Sequence, residues 1–476
     1  MFELPSQLTD QISQCGQDHV LRSWDHLDDS QRKNLAAQLT DVNFELLQSL
    51  WNQYKQRTKS ERDLSSIAPP NSIRLADKES YSYEEAHTKG EQLLRDGLVG
   101  VIIVAGGQGS RLGFNHPKGL YPIGPLSDRT LFQFILDKIA GYESLYATRI
   151  PLFVMTSPTV HKETIAYFQE HGYFGREDRV QFFCQPTMPA LDAKTGKLLL
   201  QASDCLFISP NGHGGMLEAM QSQGILYDCI QKGVDTLFYG QIDNPLSPTC
   251  SPALLGYHAL SNSQATLQTI AKQSATDKTG SIVSLDGRTE IIEYSEIPTQ
   301  LAEVTDQQGE LKFWAANIAV HVFQTKFLHN VARSSNGLPY HFAHKTVACL
   351  DKNGMLHQPV EPNAIKLERF IFDLLPLAEK TLTVEAKREE VFAPVKNAPS
   401  EKFSTPLTSR QGICRLHRQW LQAAGCSVAD NVRVEIHPQY APDFRYLKQR
   451  SDLPLQIKDD AYLKDPPFNF PDSPEN

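Results

Sequence analysis

Between Gly100 and Gly124 the chain reads GVIIVAGGQGSRLGFNHPKGLYPIG, an apolar run that empties into a glycine-rich loop carrying Arg111 and Lys118. Such a loop holds phosphate. Glycines at 106, 107, 109 and 113 let the backbone approach a ligand and turn its N–H groups inward, and the two side chains add positive charge. Spacing excludes two familiar phosphate loops. The dinucleotide fingerprint needs a third glycine where this chain has Leu112. A Walker loop needs Lys and then Ser or Thr directly after its last glycine, but Phe114 follows Gly113 and Lys118 comes only after His116 and Pro117.

The stretch AGGQGSRLG followed by PKG, Ala105 to Gly119, resembles the signature of the eukaryotic-type UDP-sugar pyrophosphorylases, most closely the UDP-N-acetylglucosamine pyrophosphorylases. Further blocks resemble the same family in the same order: GQDHVLRSW, DVNFELL, IPLFVMTS, HGYFG, PNGHGG, IDNPL, EYSEI, PNAIKLERFIFD and FAPVKNA. The likeness runs from about Gly16 to Ala398 and thins towards the C-terminus. It implies a Rossmann-like nucleotidyltransferase (GT-A-like) α/β fold with a mixed, mostly parallel sheet and helices on both faces. It also implies a uridylyltransferase that joins UTP and a sugar 1-phosphate into a UDP-sugar with Mg²⁺ as cofactor.

Carried over residue by residue, the resemblance implies nucleotide binding by Ala105, Gly106, Gly107, Gln185, Gly212 and His213, and phosphate chemistry by Arg111, Lys118 and Lys396. It implies sugar binding by Gly280, Glu293 and Asn317, and metal ligation by Asp243; Asp373, in FIFD, is open as a second ligand or as a local cap or pair. The residue types suit these tasks. Gln185 follows the apolar strand VQFFC, and its amide can match the edge of uracil or, flipped, that of cytosine, so backbone groups must break the tie. Asp243 ends an apolar strand before Asn244-Pro245, where one carboxylate oxygen can hold Mg²⁺ while phosphates supply other ligands. A sugar phosphate is already an anionic nucleophile, so no general base is required. The barrier is repulsion between like charges, which cations must offset.

Two positions depart from the nearest family pattern. His213 stands where the acetylglucosamine enzymes usually have Asn, and Ala316 stands where glycine is common, adding a methyl group near the expected sugar site. The resemblance implies N-acetylglucosamine 1-phosphate as the sugar substrate, and these two positions keep glucose, galactose or a broad range open as alternatives. A non-catalytic UDP-sugar sensor and a nicotinamide or flavin oxidoreductase are readings from other classes. The first is opposed by joint retention of Arg111, Lys118 and Asp243, the second by the absent glycine.

Composition sets the surroundings. The 476 residues have room for two or three domains, and a net charge of -9 excludes a nucleic-acid or anionic-membrane surface, so anionic ligands must meet a local cationic cluster. Eight scattered cysteines without metal spacing, and an N-terminus without a charged-then-apolar leader, predict a cytoplasmic protein with reduced thiols. The oligomeric state is left open.

The elements that must position these residues follow from periodicity. Residues 1–95 read as an N-terminal helical segment, with Leu35, Leu39, Val42, Leu46, Leu47 and Leu50 on one face and a packing role against the sheet domain. Ser82 and Glu85 form a capping box, and Gly97 stops that helix. Residues 96–386 read as the catalytic α/β domain, with strands at 149–156, 180–184 and 236–242 and a helix at 161–171. Leu131, Phe134, Ile135 and Ile139 mark the buried face of another helix, and a hairpin turns at Asp286-Gly287. Residues 387–476 form a small C-terminal domain of weak periodicity, ending in the Pro-rich DPPFNFPDSPEN, expected to be extended or disordered.

Overall fold

Val99–Val104 has the β-branched, unbroken apolar character of a strand covered on both faces, and five of its six residues are buried. The computed structural model describes residues 2–56, 63–76, 81–334 and 337–465, so most of the Pro-rich end lies outside the described residues. The chain divides into two compact units, each assembled from three stretches. One holds Met1–Ser65, Gln185–Ala219 and Ser334–Asp373; the other holds Ser66–Cys184, Met220–Arg333 and Leu374–Asn476. These units interleave along the sequence, whereas the expected segments 1–95, 96–386 and 387–476 are contiguous.

The second unit is built on a sheet of β1 (Ser72–Ile73), β2 (Val99–Val104), β3 (Leu152–Thr156), β4 (Val180–Cys184), β5 (Thr236–Gln241), β6 (Ala265–Ala271), β7 (Ser281–Leu285), β8 (Arg288–Ile292), β9 (Ala315–Gln324) and β10 (Thr381–Glu385). The spatial order is β1-β10-β6-β9-β5-β2-β3-β4, with β7 and β8 as a hairpin attached to β9. Pairing is parallel except where β9 runs antiparallel to β5, β6 and β7 and within the attached hairpin. The sheet is thus mixed and mostly parallel, as expected. Asp286 and Gly287 both have positive φ, the geometry of a tight hairpin turn.

Local signals shape the helices around this sheet. Ser82 and Glu85 cap helix Tyr83–Arg95 reciprocally, and Thr130 and Gln133 do the same for Leu131–Tyr146. Helices Tyr83–Arg95 and Pro252–Leu260 approach backbone to backbone. A Cβ on Gly90 would lie 2.8 Å from Pro252 Cα, and one on Gly256 would lie 2.9 Å from Ala86 Cα, each still closer to a carbonyl. Gly256→Ala is therefore expected to cost at least about 2 kcal/mol in denaturant unfolding, because two rigid backbones must separate. An unchanged midpoint would show that the crossing is looser than drawn.

Past Lys387 the weak periodicity concealed a helix of 18 residues, Pro406–Ala423, capped by Thr405 and burying Ile413, Leu416, His417 and Leu421. Two short parallel strand pairs follow it, Ser427–Val428 with Gln456–Ile457 and Val434–Ile436 with Ala461–Leu463.

In the first unit, helices Asp29–Thr40 and Phe44–Gln56 present Leu35, Leu39, Phe44, Leu47 and Leu50 to a core shared with Leu191, Leu198, Leu206, Ile365 and Leu367. The N-terminal helices thus pack on elements of their own unit, including the small antiparallel sheet of Leu191–Asp192, Ala364–Glu368 and His341–Lys345. For these two helices the expected packing against the large sheet is corrected, whereas it holds for helix Tyr83–Arg95, whose Ala86, Leu93 and Leu94 share a core with Val99, Val101 and Ile103. None of the eight cysteines is paired. No helix among the described residues is long and apolar enough to cross a membrane.

Candidate active site

The phosphate loop leaves the carboxyl end of β2. Ala105 N–H donates to Met155 O (2.7 Å), and Ser157 Oγ donates to Gly106 O (2.7 Å), so the loop's exit is pinned to the neighbouring strand. Gly109 N–H donates to His116 O (2.9 Å) and Lys118 N–H to Gly107 O (3.0 Å), which closes the loop across Gln108 and Pro117. A Cβ on Gly107 would meet nothing within 4 Å, so that backbone stands in open space. Gly119, by contrast, lies against the Phe132 ring, where a Cβ would come within 2.7 Å of Cζ.

Three cations and one carboxylate converge beside this loop. Lys118 Nζ donates to Val395 O (3.3 Å), and Lys396 Nζ lies 4.0 Å from Asp243 Oδ2. Asp243 keeps its place through its backbone, since its carbonyl accepts from Val395 N–H (2.8 Å). Burial lowers the pKa of Lys118; Asp243 opposes that shift, while Lys396 and Arg111 add to it. Sequence positions 111, 118, 243 and 396 are thereby brought to one place, with a net positive charge for anions to meet.

A second group lies in the same unit. Asn317 N–H donates to Gly280 O (2.8 Å), and Asn317 Oδ1 accepts from Ala319 N–H (2.9 Å), which leaves the Nδ2 donors for a ligand. A Cβ on Gly280 would lie 3.2 Å from Glu293 Oε1 and 2.7 Å from Ile291 Cγ2. Burial and Glu296 raise the pKa of Glu293, and Lys396 and Lys272 pull it back. Lys272, whose Nζ donates to Ser281 Oγ (2.6 Å), was missed at the level of sequence because a single lysine after a strand carries no motif.

Ala316 is a correction. Its side chain is fully buried in the apolar core of this unit rather than at the sugar group, because strand alternation turns 316 inward when 317 faces out.

The first unit carries Gln185, Gly212 and His213. Gln185 Nε2 donates to Gly212 O (2.5 Å), and Gly212 has φ +84°. Around it, Arg369 N–H donates to Asn211 O (2.6 Å) and Gly214 N–H to Arg369 O (2.9 Å). His213 Nδ1 accepts from Ile371 N–H (3.1 Å), and its ring lies 5.5 and 5.7 Å from those of Phe370 and Phe372. Burial lowers its pKa to about 4, so the ring is neutral at physiological pH. The aromatic pair sits in the block LERFIFD, but only its neighbours on the folded loop reveal it as His213's support.

Asp373 is engaged locally. Its Oδ2 accepts from His341 Nε2 (2.8 Å) and Phe370 N–H (3.4 Å), the capping role of the two open to it. Among the described residues no three His, Cys, Asp or Glu side chains form a metal cage. Asp243 is the carboxylate of the cluster that could hold a metal ion.

Comparison with known proteins identifies the family. The chain is 33% identical to the UDP-N-acetylglucosamine pyrophosphorylase of Saccharomyces cerevisiae, over 89% of this chain and 92% of that protein. It is 32% identical to UDP-N-acetylglucosamine diphosphorylase 2 of Arabidopsis thaliana, over 90% and 88% respectively. The crystal structure of the UDP-N-acetylglucosamine pyrophosphorylase of Trypanosoma brucei shares the fold with a TM-score of 0.79 at 24% identity, covering 98% of this chain and 99% of that one. The sequence pattern of the UTP–glucose-1-phosphate uridylyltransferase family matches residues 44–440, and the chain belongs to that family.

Proposed function

We propose that the protein forms UDP-N-acetylglucosamine and pyrophosphate, reversibly, from UTP and N-acetylglucosamine 1-phosphate. The observation that carries this reading is the convergence of Arg111, Lys118 and Lys396 on Asp243 at the carboxyl end of the sheet. A phosphate oxygen of the sugar phosphate attacks the α-phosphorus of UTP in line, and the bond from that phosphorus to the bridging oxygen of pyrophosphate breaks. Arg111 and Lys118 neutralise the departing pyrophosphate, and Lys396 holds the incoming sugar phosphate. Asp243 would hold Mg²⁺, which when bound offsets phosphate charge. Gly280, Glu293 and Asn317 are assigned the sugar hydroxyls. The unpaired cysteines support a cytoplasmic location.

The choice of base follows from the amide of Gln185. A carbonyl can only accept, so Gly212 O fixes the nitrogen of that amide towards itself and leaves Oε1 as the free acceptor. Oε1 matches the N3–H of uracil and repels the lone pair of cytosine N3. Native protein is therefore expected to favour UTP over CTP by about 10²-fold in kcat/KM, and Gln185→Ala to lose most of that ratio. Equal ratios in the two proteins would remove Gln185 from base selection.

The activity itself is tested with purified protein, UTP, Mg²⁺ and the 1-phosphates of N-acetylglucosamine, glucose and galactose, scored for pyrophosphate. N-acetylglucosamine 1-phosphate is expected to lead by about tenfold or more, and chelation of the metal to stop the reaction. A lead for glucose 1-phosphate would overturn the sugar assignment, and no pyrophosphate with any sugar would overturn the reaction.

A further inference from the structure

Strand β9 changes neighbours along one of its edges. From Gln324 to His321 it pairs with Thr236 to Tyr239 of β5, and among the described residues that pairing goes no further. β5 itself runs on beside β2 to Gln241, with Ile242 and Asp243 after it. On the same edge β9 takes up β7 instead, through Ala316 and Ser281. Had the first register continued, Asn317 would stand directly opposite Asp243, and the two strands would close the space between them.

The change of neighbour falls at a bulge. On its other edge β9 pairs with β6, where Gln268 faces Val320 but the next residue, Thr269, faces Asn317, so Ile318 and Ala319 have no counterpart. Ala319 has φ +56°, a left-handed geometry that an L side chain adopts only at a cost. Three hydrogen bonds hold the segment in this form. The fully buried Thr269 donates through Oγ1 to Ala316 O (2.7 Å), Asn317 N–H donates to Gly280 O (2.8 Å), and Asn317 Oδ1 accepts from Ala319 N–H (2.9 Å). The last bond joins backbone to chemistry. In a regular strand the Ala319 N–H would belong to the ladder and the Asn317 side chain could turn; here that N–H holds Oδ1 and leaves Nδ2 as the free end of the amide.

We infer that Ala319 is a positioning residue: its left-handed conformation parts β9 from β5, which opens the crevice beside Asp243, and locks the Asn317 amide for a sugar hydroxyl. The inference rests on the assignment of Asn317 to the sugar in the proposed function. Its effect passes through Asn317. Glycine at this position would adopt the same φ without strain, whereas a β-branched side chain favours the extended backbone and works against the bulge.

The test compares the native full chain with Ala319→Gly and Ala319→Val. UDP and UDP-N-acetylglucosamine are titrated by calorimetry, and amide hydrogen exchange of residues 315–320 is followed without ligand. Ala319→Gly is expected to keep both affinities within about threefold. Ala319→Val should weaken UDP-N-acetylglucosamine by about tenfold or more, leave UDP within about threefold and speed exchange of the segment. A merely structural role would move both ligands together. Native sugar-nucleotide affinity in Ala319→Val, equal weakening of the two ligands, or an Ala319→Gly protein as impaired as Ala319→Val would each overturn the proposal.

Should Ala319→Val not fold, two changes at Asn317 decide the matter. Asn317→Asp keeps an acceptor for Ala319 N–H but loses the donors, so it should exchange as the native chain does, while Asn317→Ala should exchange faster. Equal exchange in these two would overturn the lock. Native protein that binds UDP and UDP-N-acetylglucosamine alike would instead remove the sugar assignment from the proposed function, and the exchange rates would then judge the bulge by itself.

Discussion

Lys118→Ala is expected to lower kcat by about 10²–10³-fold while leaving the unfolding midpoint nearly unchanged. Among the described residues the side chain makes one hydrogen bond, to Val395 O, so its loss costs the fold only about 1 kcal/mol. On the proposed reaction its contribution is larger, because charge would build on the departing pyrophosphate at a site where burial limits screening by water. The same burial sets a pH signature. Lys118 titrates below the usual lysine value of 10.5, with Asp243 opposing the shift and Lys396 and Arg111 adding to it. The protonated cation is the working form, so kcat/KM is expected to fall as pH rises through that lowered pKa, and the alanine variant to lose this alkaline limb. Steady-state kinetics across the alkaline range, with thermal melts of both proteins, check the two effects together. A variant with near-native turnover would remove Lys118 from the reaction.

Gly212→Ala is expected to be the most damaging single-methyl change in the loop proposed to hold the nucleotide. Gly212 has φ +84°, a region that alanine adopts only with strain, and its Cβ would stand 2.8 Å from Arg369 N and closer still to Arg369 O. Arg369 is itself tied by backbone bonds to Asn211 and Gly214, so the clash cannot be relieved by moving a side chain. Relief must come from shifting the loop, and the Gly212 carbonyl that orients Gln185 shifts with it. The expected result is a KM for UTP raised by about 10²-fold, with a stability loss of about 1–3 kcal/mol. Isothermal binding of UTP and denaturant unfolding measure these separately. Native-like UTP affinity in a folded variant would show that the loop does not hold the nucleotide.

The contrast between these two residues reflects what could be read before the fold was known. Lys118 lies in a loop whose glycines and cations are neighbours in sequence, so its chemistry is written within twenty residues. The capping pair Ser82 and Glu85, the turn at Asp286-Gly287 and the edge strand Val180–Cys184 were legible for the same reason. Each depends on dihedral preferences or on apolar spacing along one short stretch. Helix Pro406–Ala423 escaped because His417 and Ser409 share its buried face with Ile413, Leu416 and Leu421, which blurs the apolar period.

The sequence by itself determined the strand-to-loop-to-helix units, their caps and turns, and through them the family and the kind of chemistry. Only the tertiary structure decided which of those parts meet. It turned β9 antiparallel between β5 and β6, divided the chain into two interleaved units, sent the methyl of Ala316 into the core and chose which face of the Gln185 amide is free. It also brought Lys118 against Val395, 277 positions away, and with it Asp243 and Lys396. Local patterns are set by bonds and torsions between near neighbours. Contacts between distant positions are set by how buried surfaces close over one another, which no single stretch of residues encodes.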